Sequence, residues 1–299
     1  MVKGTILVVG GGTMGRGIAG VCVLSGFSTA VYEADPAARR RLPGSLESSW
    51  KRSVERGKLA PQAVEEALNR LSLHDHLEDA AAGVELALEA VPESLELKRE
   101  VFGQLDRLCP RSAILASNTS SLPIGELARA TDRPDRVIGI HFFNPVAVMP
   151  LVEIVRARET SRETEEKAAR FVAALAKEAI RVSDSPGFAT SRLGLALGLE
   201  AMRMVEEGVA SPSDIDKAME LGYGHRMGPL KTSDLVGLDV RLSIAQTLAA
   251  RLSETRFRPP EILKRLVSEG CTGQKSGHGF YRWEGDTPVA SATAVKRKT

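Results

Sequence analysis

A short apolar run that empties into three spaced glycines constrains this chain more than any other feature. Ile6 to Val9 reads as a fully buried strand, and Gly10, Gly12 and Gly15 follow it in the order G-x-G-x-x-G. A helical pattern, Ile18, Val21 and Cys22, comes next. Strand before and helix after separate a dinucleotide fingerprint from a chance cluster of glycines. Gly10 permits the tight turn, Gly12 lets backbone approach a pyrophosphate, and Gly15 lets helix and strand pack closely. The helix start, at Thr13 and Met14, offers free N–H groups and a positive dipole end to phosphates.

The second expected strand, Ser28 to Tyr32, ends in Glu33, 18 residues past Gly15. A carboxylate there accepts from the adenosine ribose hydroxyls and repels a 2′-phosphate, so NAD is the expected cofactor rather than NADP. Arg39, Arg40 and Arg41 follow on a polar helical segment and read as a solvated face. In a chain of 299 residues, 40 basic side chains stand against 38 acidic ones, which argues against a nucleic-acid partner. Cys22, Cys109 and Cys271 have neither metal-ligand nor disulfide spacing, so no metal is expected. No apolar run approaches the ~20 residues of a membrane span. No secretory leader is visible either, and a cytoplasmic location is expected.

Further along, Leu46, Trp50 and Val54 form one helical stripe, and Val64, Leu68 and Leu71 a second, with a break at Gly57 to Pro61. This predicts a helical-hairpin excursion over about 36–72, with Pro43-Gly44 interrupting its start. Lys51, Arg52, Arg56 and Lys58 give the hairpin a basic face. The residues alone leave two readings of that face, a solvated surface or a landing site for an anion. Strands are then expected at Leu86 to Ala90, Ile114 to Ser117, Val137 to His141, Leu151 to Val155 and Ala179 to Val182. Helices at Glu93 to Leu108 and Thr164 to Ala176 alternate with them. The rhythm is that of an α/β fold with a doubly wound sheet, its helices on both faces.

From Asp184-Ser-Pro-Gly187 onward the pattern turns helical. Ser211-Pro212-Ser213-Asp214 is a helix-start signature. The expected division is a nucleotide-binding domain over 1–185, an all-α C-terminal domain over 186–283, and a disordered tail over 284–299.

Ligands of open α/β sheets bind beyond the carboxyl ends of the strands. Two polar clusters stand at such ends, Ser117-Asn118-Thr119-Ser120-Ser121 and His141-Phe142-Phe143-Asn144-Pro145. Glu153 lies 12 residues after His141, within Leu151-Val152-Glu153-Ile154-Val155. A carboxylate among apolar neighbours is costly to bury unless paired. A turn over Pro145 to Pro150 would bring it back beside His141, where it would fix the tautomer and orientation of the imidazole. His74, His76 and His278 read as structural, and His225 is left open.

These motifs together resemble those of the L-3-hydroxyacyl-CoA dehydrogenases, in the short form that acts on 3-hydroxybutyryl-CoA. The resemblance runs from about residue 3 to Trp283. It is carried by Gly10-Gly-Gly-Thr-Met-Gly15, Glu89-Ala-Val-Pro-Glu93, Ser117-Asn-Thr-Ser-Ser121, His141-Phe-Phe-Asn-Pro145, Ser185-Pro-Gly-Phe188, Met227-Gly-Pro229 and Lys275-Ser-Gly-His-Gly-Phe-Tyr281. It implies an N-terminal Rossmann domain and a helical C-terminal domain that forms a homodimer. It implies an acyl-CoA substrate, with His141 as general base, Glu153 orienting it, and Ser120 bonded to the reacting oxygen or the nicotinamide side. Asn144, Glu93, Lys98 and Lys275 match positions that contact NAD, and Ser49 and Arg56 fall near positions that contact coenzyme A.

Three positions depart from the pattern. Ser191 stands where the family has a substrate-contacting asparagine, Arg226 where proline is common, and Pro43-Gly44 within the excursion. Two other readings remain: a λ-crystallin or gulonate-type dehydrogenase of a free hydroxy acid, and a silent NAD-binding protein. The Phe142-Phe143 pair and the basic excursion disfavour the first, and the joint presence of His141, Glu153, Ser120 and Asn144 disfavours the second.

Overall fold

The computed structural model describes residues 3–252 and 255–290. Contacts divide the chain into two compact units, one up to Phe188 and one from Ala189. Among the described residues no helix is long and apolar enough to cross a membrane.

The first unit begins with β1 (Lys3–Val9), α1 (Thr13–Leu24), β2 (Phe27–Tyr32), α2 (Pro36–Glu55), α3 (Pro61–Leu68) and β3 (Leu71–His74). It continues with α4 (Leu77–Ala81), β4 (Leu86–Glu89), α5 (Leu95–Leu108), β5 (Ile114–Ser117), α6 (Ile124–Ala128) and β6 (Val137–Phe142). It closes with β7 (Leu151–Arg156), α7 (Arg162–Ala174) and β8 (Glu178–Ser183). The eight strands lie in the order β3-β2-β1-β4-β5-β6-β7-β8. All neighbouring pairs are parallel except β6 and β7, so the sheet is mixed.

Continuous apolar strands are what a sheet covered on both faces requires. Ile6, Val8, Leu88 and Ile114 share one core with Ile18 of α1, Leu46 and Trp50 of α2, and Phe171 of α7. Leu7, Val9, Ala87 and Leu115 share the other with Ala80 of α4, Phe102 and Leu105 of α5, and Leu127 of α6. Gly20 brings α1 against α2, since a Cβ there would stand 2.8 Å from Leu46 Cδ2.

The excursion differs from its expected form in two places. The helix α2 runs unbroken through Pro43. Asp35 caps it by accepting from the N–H groups of Ala37 and Ala38, and burial of Leu42, Leu46 and Trp50 outweighs the one hydrogen bond that proline forfeits. The second helix stops at Leu68, and Leu71 belongs to a strand paired with β2 (Leu71 opposite Thr29). Its helical spacing with Val64 and Leu68 concealed a short edge strand whose partner is distant in sequence.

The second unit comprises α8 (Thr190–Glu206), α9 (Pro212–Gly222), α10 (Pro229–Val236), α11 (Leu238–Leu252) and α12 (Glu261–Ser268), then a hairpin of β9 (Tyr281–Glu284) and β10 (Thr287–Ala290). Ser211 Oγ accepts from Asp214 N–H at the start of α9 (3.2 Å). Leu195, Leu199, Met202, Leu230, Leu248, Leu263 and Trp283 meet in its core. The hairpin corrects the expectation of disorder from 284. Gly285, at φ +61°, and Asp286 form a two-residue turn, and Trp283 anchors the first strand by burial. The remainder of the expected tail, 291–299, lies outside the described residues.

Candidate active site

In register, Val9 of β1 lies opposite Glu89 of β4, Glu89 opposite Ser117 of β5, and Ser117 opposite Gly139 of β6. The carboxyl ends of β1, β4 and β5 are therefore level, and the adjacent parallel strand β6 runs past them to Phe142. They deliver the glycine loop, the Glu89–Glu93 segment, the serine-rich turn and His141 to one edge of the sheet, where ligands of such folds bind.

The glycine loop is shaped as its spacing requires. Gly10 has φ +100°, and a Cβ on Gly15 would lie 1.8 Å from Gly10 O. Around Gly12, the N-cap of α1, a Cβ would meet nothing within 4 Å, and no side chain caps the helix. Its first turn carries no acid. That open, uncapped backbone fits the pyrophosphate of a dinucleotide. Glu33 Oε2 accepts from Gly11 N–H (2.6 Å) and its Oε1 from Asp35 N–H (2.8 Å), which fixes a carboxylate beside the loop.

His141 and Glu153 face each other across the antiparallel β6–β7 pair. His141 Nδ1 is 2.7 Å from Glu153 Oε2, with Glu153 fully buried and His141 7% exposed. Nδ1–H donates to the carboxylate, which leaves Nε2 as the nitrogen that exchanges a proton. Phe143 and Phe188 flank the imidazole, at ring-centroid distances of 4.5 and 6.0 Å. Both stand in motifs quoted from the sequence, which gave neither ring a place against the imidazole. Gly187 and Phe188, at φ +74° and +48°, mark the sharp turn that aims the second ring.

The serine-rich turn is held by Glu93. Its Oε1 accepts from Thr119 Oγ1 (2.5 Å), Ser120 N–H (3.1 Å) and Ser120 Oγ (3.4 Å). Asn118 Oδ1 accepts from Phe142 N–H (2.9 Å), tying the turn to β6 beside His141. Asn144 is exposed just after β6, preceding the cis peptide bond to Pro145. Lys98 is buried beneath Glu93, its Nζ 2.6 Å from Glu89 Oε1 and 3.3 Å from Glu93 Oε2. Glu89 and Thr119 also belong to this constellation; both stand within quoted motifs, where the sequence reading gave neither a role.

Other expected site residues lie elsewhere. Ser49 is on the exposed side of α2, its Oγ bonded to Leu46 O (2.7 Å), and Arg56 is exposed at the helix end. Arg39 was expected to be solvated, yet it donates to Glu33 O (2.7 Å) and pairs with Asp75 (3.3 Å). Arg40 and Arg41 line an open cleft of about 540 Å³ with Arg16, Gly44, Ser45 and Ser48. The spacing 41, 45, 48 puts these groups on one helical stripe, a signal present in the sequence. Ser191 lies in the first turn of α8 and Lys275 pairs with Asp239 (2.6 Å), both in the second unit. A different cavity, about 460 Å³, opens among Ile6, Phe27, Leu86, Ile114 and Phe171 at the amino ends of the strands, away from His141. Burial pushes the Cys109 thiol up to about 11, against the opposing pull of Arg133, and burial raises that of Cys22 further. Neither is a poised nucleophile.

Residues 5–185 match the 3-hydroxyacyl-CoA dehydrogenase NAD-binding domain, and residues 187–283 match the C-terminal domain of the same family. The chain is 43% identical over 282 residues to a probable 3-hydroxybutyryl-CoA dehydrogenase of Bacillus subtilis, covering 94% of this chain and 98% of that one. It is 43% identical to the 3-hydroxybutyryl-CoA dehydrogenase of Mycobacterium tuberculosis, over 92% of this chain and 97% of that one. The crystal structure of (S)-3-hydroxybutyryl-CoA dehydrogenase from Ralstonia eutropha superposes with a TM-score of 0.91 at 36% identity, covering 94% and 99% of the two chains. With its glycine cradle for NAD and its paired histidine and glutamate, the chain belongs to the 3-hydroxyacyl-CoA dehydrogenase family and is an NAD-dependent enzyme of that kind.

Proposed function

We propose that the protein oxidises short-chain (S)-3-hydroxyacyl-CoA, such as 3-hydroxybutyryl-CoA, reversibly to the 3-oxoacyl-CoA, with His141 as the base. The observation that carries this reading is the 2.7 Å His141–Glu153 pair at the carboxyl edge of the sheet. An alcohol is a poor hydride donor until its O–H proton leaves. His141 Nε2 takes that proton as the carbinol becomes a carbonyl, a contribution worth roughly 10²- to 10⁴-fold. The Glu153 carboxylate holds Nδ1–H and balances the imidazolium that forms. Ser120 donates to the reacting oxygen, and Phe143 and Phe188 keep water from the ring. NAD, when bound, supplies the hydride acceptor. In reverse, the imidazolium returns its proton to the nascent alkoxide.

Gly10, Gly12, Thr13, Met14 and Gly15 are proposed to cradle the pyrophosphate, and Glu33 to take the adenosine ribose. Glu93 and Asn144 are proposed to bound the rest of the dinucleotide site. The cleft of Arg16, Arg40 and Arg41 supports a coenzyme A ester over a free acid, because three guanidinium groups suit its phosphates. Ser49 and Arg56 extend the same helix. The short acyl chain is supported by the names of the bacterial relatives. A homodimer through the second unit is part of the proposal, supported by exposed Leu193, Leu221, Tyr223, Leu235, Val236 and Val240. So is a cytoplasmic location, supported by three unpaired thiols.

The test is NADH oxidation with acetoacetyl-CoA against free acetoacetate. Turnover with the thioester and at least a hundredfold lower kcat/KM with the free acid is the expected outcome. Comparable rates would favour the free-hydroxy-acid reading.

A further inference from the structure

Glu89 ends β4 with no exposed surface, yet the reaction just described gives it no task. Both oxygens of its carboxylate are engaged. Oε1 accepts from Val91 N–H (2.7 Å) and from the Lys98 ammonium (2.6 Å), and Oε2 accepts from Ser117 Oγ (2.6 Å). Its own backbone carbonyl accepts from Asn118 N–H (2.9 Å). One side chain thus joins β4, the start of α5 and the end of β5, directly under the serine-rich turn.

Lys98 links Glu89 to that turn. Its Nζ lies between two carboxylates, close to Glu89 and farther from Glu93 Oε2 (3.3 Å), and also donates to Val91 O (3.2 Å). Glu93 uses its other oxygen to hold Thr119 and Ser120. The two distances show a division of labour. Glu89 balances the buried ammonium, so Glu93 stays aimed at the turn rather than being drawn down onto the lysine. Thr119 Oγ1 in turn accepts from Leu122 N–H (2.9 Å) and Ser121 N–H (3.2 Å), which spreads the constraint over the whole turn.

We propose that Glu89 is a positioning residue: through Lys98 it sets Glu93, and through Glu93 it sets Ser120 and the nicotinamide side of the site. A buried network of this kind acts as a unit, because removing one charge leaves its partner to find another. In Glu89→Gln the amide keeps the volume but no longer neutralises Lys98. The ammonium then competes for Glu93, and the hydrogen bonds from Thr119 and Ser120 to Glu93 weaken. Misplacing a positioned group by about 1 Å costs on the order of 100-fold in rate.

The test compares Glu89→Gln, Glu93→Gln and the double variant, reading the NADH dissociation constant by fluorescence, kcat with acetoacetyl-CoA, and KM for the thioester. In Glu89→Gln the expected changes are NADH binding about tenfold weaker, kcat lower by roughly 10- to 100-fold, and a thioester KM within about threefold of the parent. The double variant should match Glu93→Gln within about twofold, because Glu89 acts through Glu93. Parental NADH binding and turnover in Glu89→Gln, or effects that multiply in the double variant, would overturn the proposal. Should Glu89→Gln fail to fold, Glu89→Asp keeps the charge but withdraws it from Lys98 by one methylene. Its NADH binding should weaken by about threefold, and parental binding there would equally reject the idea. The kinetic arm rests on the proposed function. The NADH arm needs no acyl-CoA, so a parent inert toward acetoacetyl-CoA would sink that function without deciding the role of Glu89.

Discussion

Both units bury acids, but they give them different partners. In the first unit Glu153 meets His141, Glu89 meets Lys98, and Asp106 meets Arg133 (Nε–Oδ1 2.7 Å). In the second, Asp234 accepts from Phe280 N–H (3.0 Å), Tyr281 N–H (2.9 Å) and Trp283 Nε1–H (3.0 Å). Asp216 accepts from Leu230 N–H (2.8 Å), Lys231 N–H (3.0 Å) and Tyr281 Oη–H (2.8 Å). Those donors are neutral. An acid answered by a cation or an imidazole can exchange a proton or place a charge; one answered by N–H groups fastens chain to chain. The contrast explains the Gly279-to-Tyr281 end of the last motif as carpentry. A Cβ on Gly279 would lie 2.2 Å from Asp234 Oδ1, and one on Gly228 would lie 2.3 Å from Asp216 Cβ. These glycines are the room the buried aspartates need.

Paired substitutions should separate the two uses most sharply. Glu153→Gln should lower kcat by roughly 100-fold or more while the melting temperature moves little, because the imidazole loses its orienting charge. Asp234→Asn should do the reverse. Its amide keeps one accepting oxygen but turns an NH2 toward one or two of the three donors, at about 1–3 kcal/mol for each buried group left unsatisfied. Calorimetry should show early melting of the second unit, with near-parental turnover well below that transition. If Asp234→Asn cost turnover and left melting unchanged, the division between chemistry and carpentry would be wrong.

A smaller effect lies in the pH dependence of stability. Burial raises the Asp216 and Asp234 carboxyls above their usual range, against the pull of their hydrogen bonds. Their contribution is therefore fully present below the ordinary aspartate range and is lost as pH rises through the raised values. Asp106 has the opposite sign. Burial pushes it up, but the Asp132 N–H and Arg133 together bring it below the usual value, so its contribution is present above that range and lost on strong acidification. Subtracting an Asp106→Asn profile from that of the parent should reveal a loss only at low pH. Subtracting an Asp216→Asn profile should reveal a loss on moving upward from the acid side. Two differences of the same sign would refute the assignment.

Much of the fold was legible because its signals are local. The buried strand before Gly10, the long apolar runs and the Ser211 cap each fix backbone within a few residues. The His141–Glu153 pairing was also readable, since an acid within Leu151 to Val155 demands a partner and the Pro145–Pro150 turn supplies one. What escaped the sequence depends on distant chain. Leu71 needs β2 beside it to be a strand, and the Gly285 hairpin depends on Trp283 being buried in the second unit. Phe143, Phe188 and Glu89 matter through what lies across the sheet from them, which spacing does not encode. Arg40 and Arg41 are exposed, as their polar segment implied, but the cleft they line with Arg16 was hidden, because Arg16 is on another helix.

The most direct measurement is the turnover of His141→Gln with acetoacetyl-CoA and NADH, alongside its NADH dissociation constant. Loss of roughly 10²- to 10⁴-fold in kcat with NADH binding within about twofold of the parent is the predicted result. Turnover close to the parent rate would contradict the assignment of the proton to that imidazole.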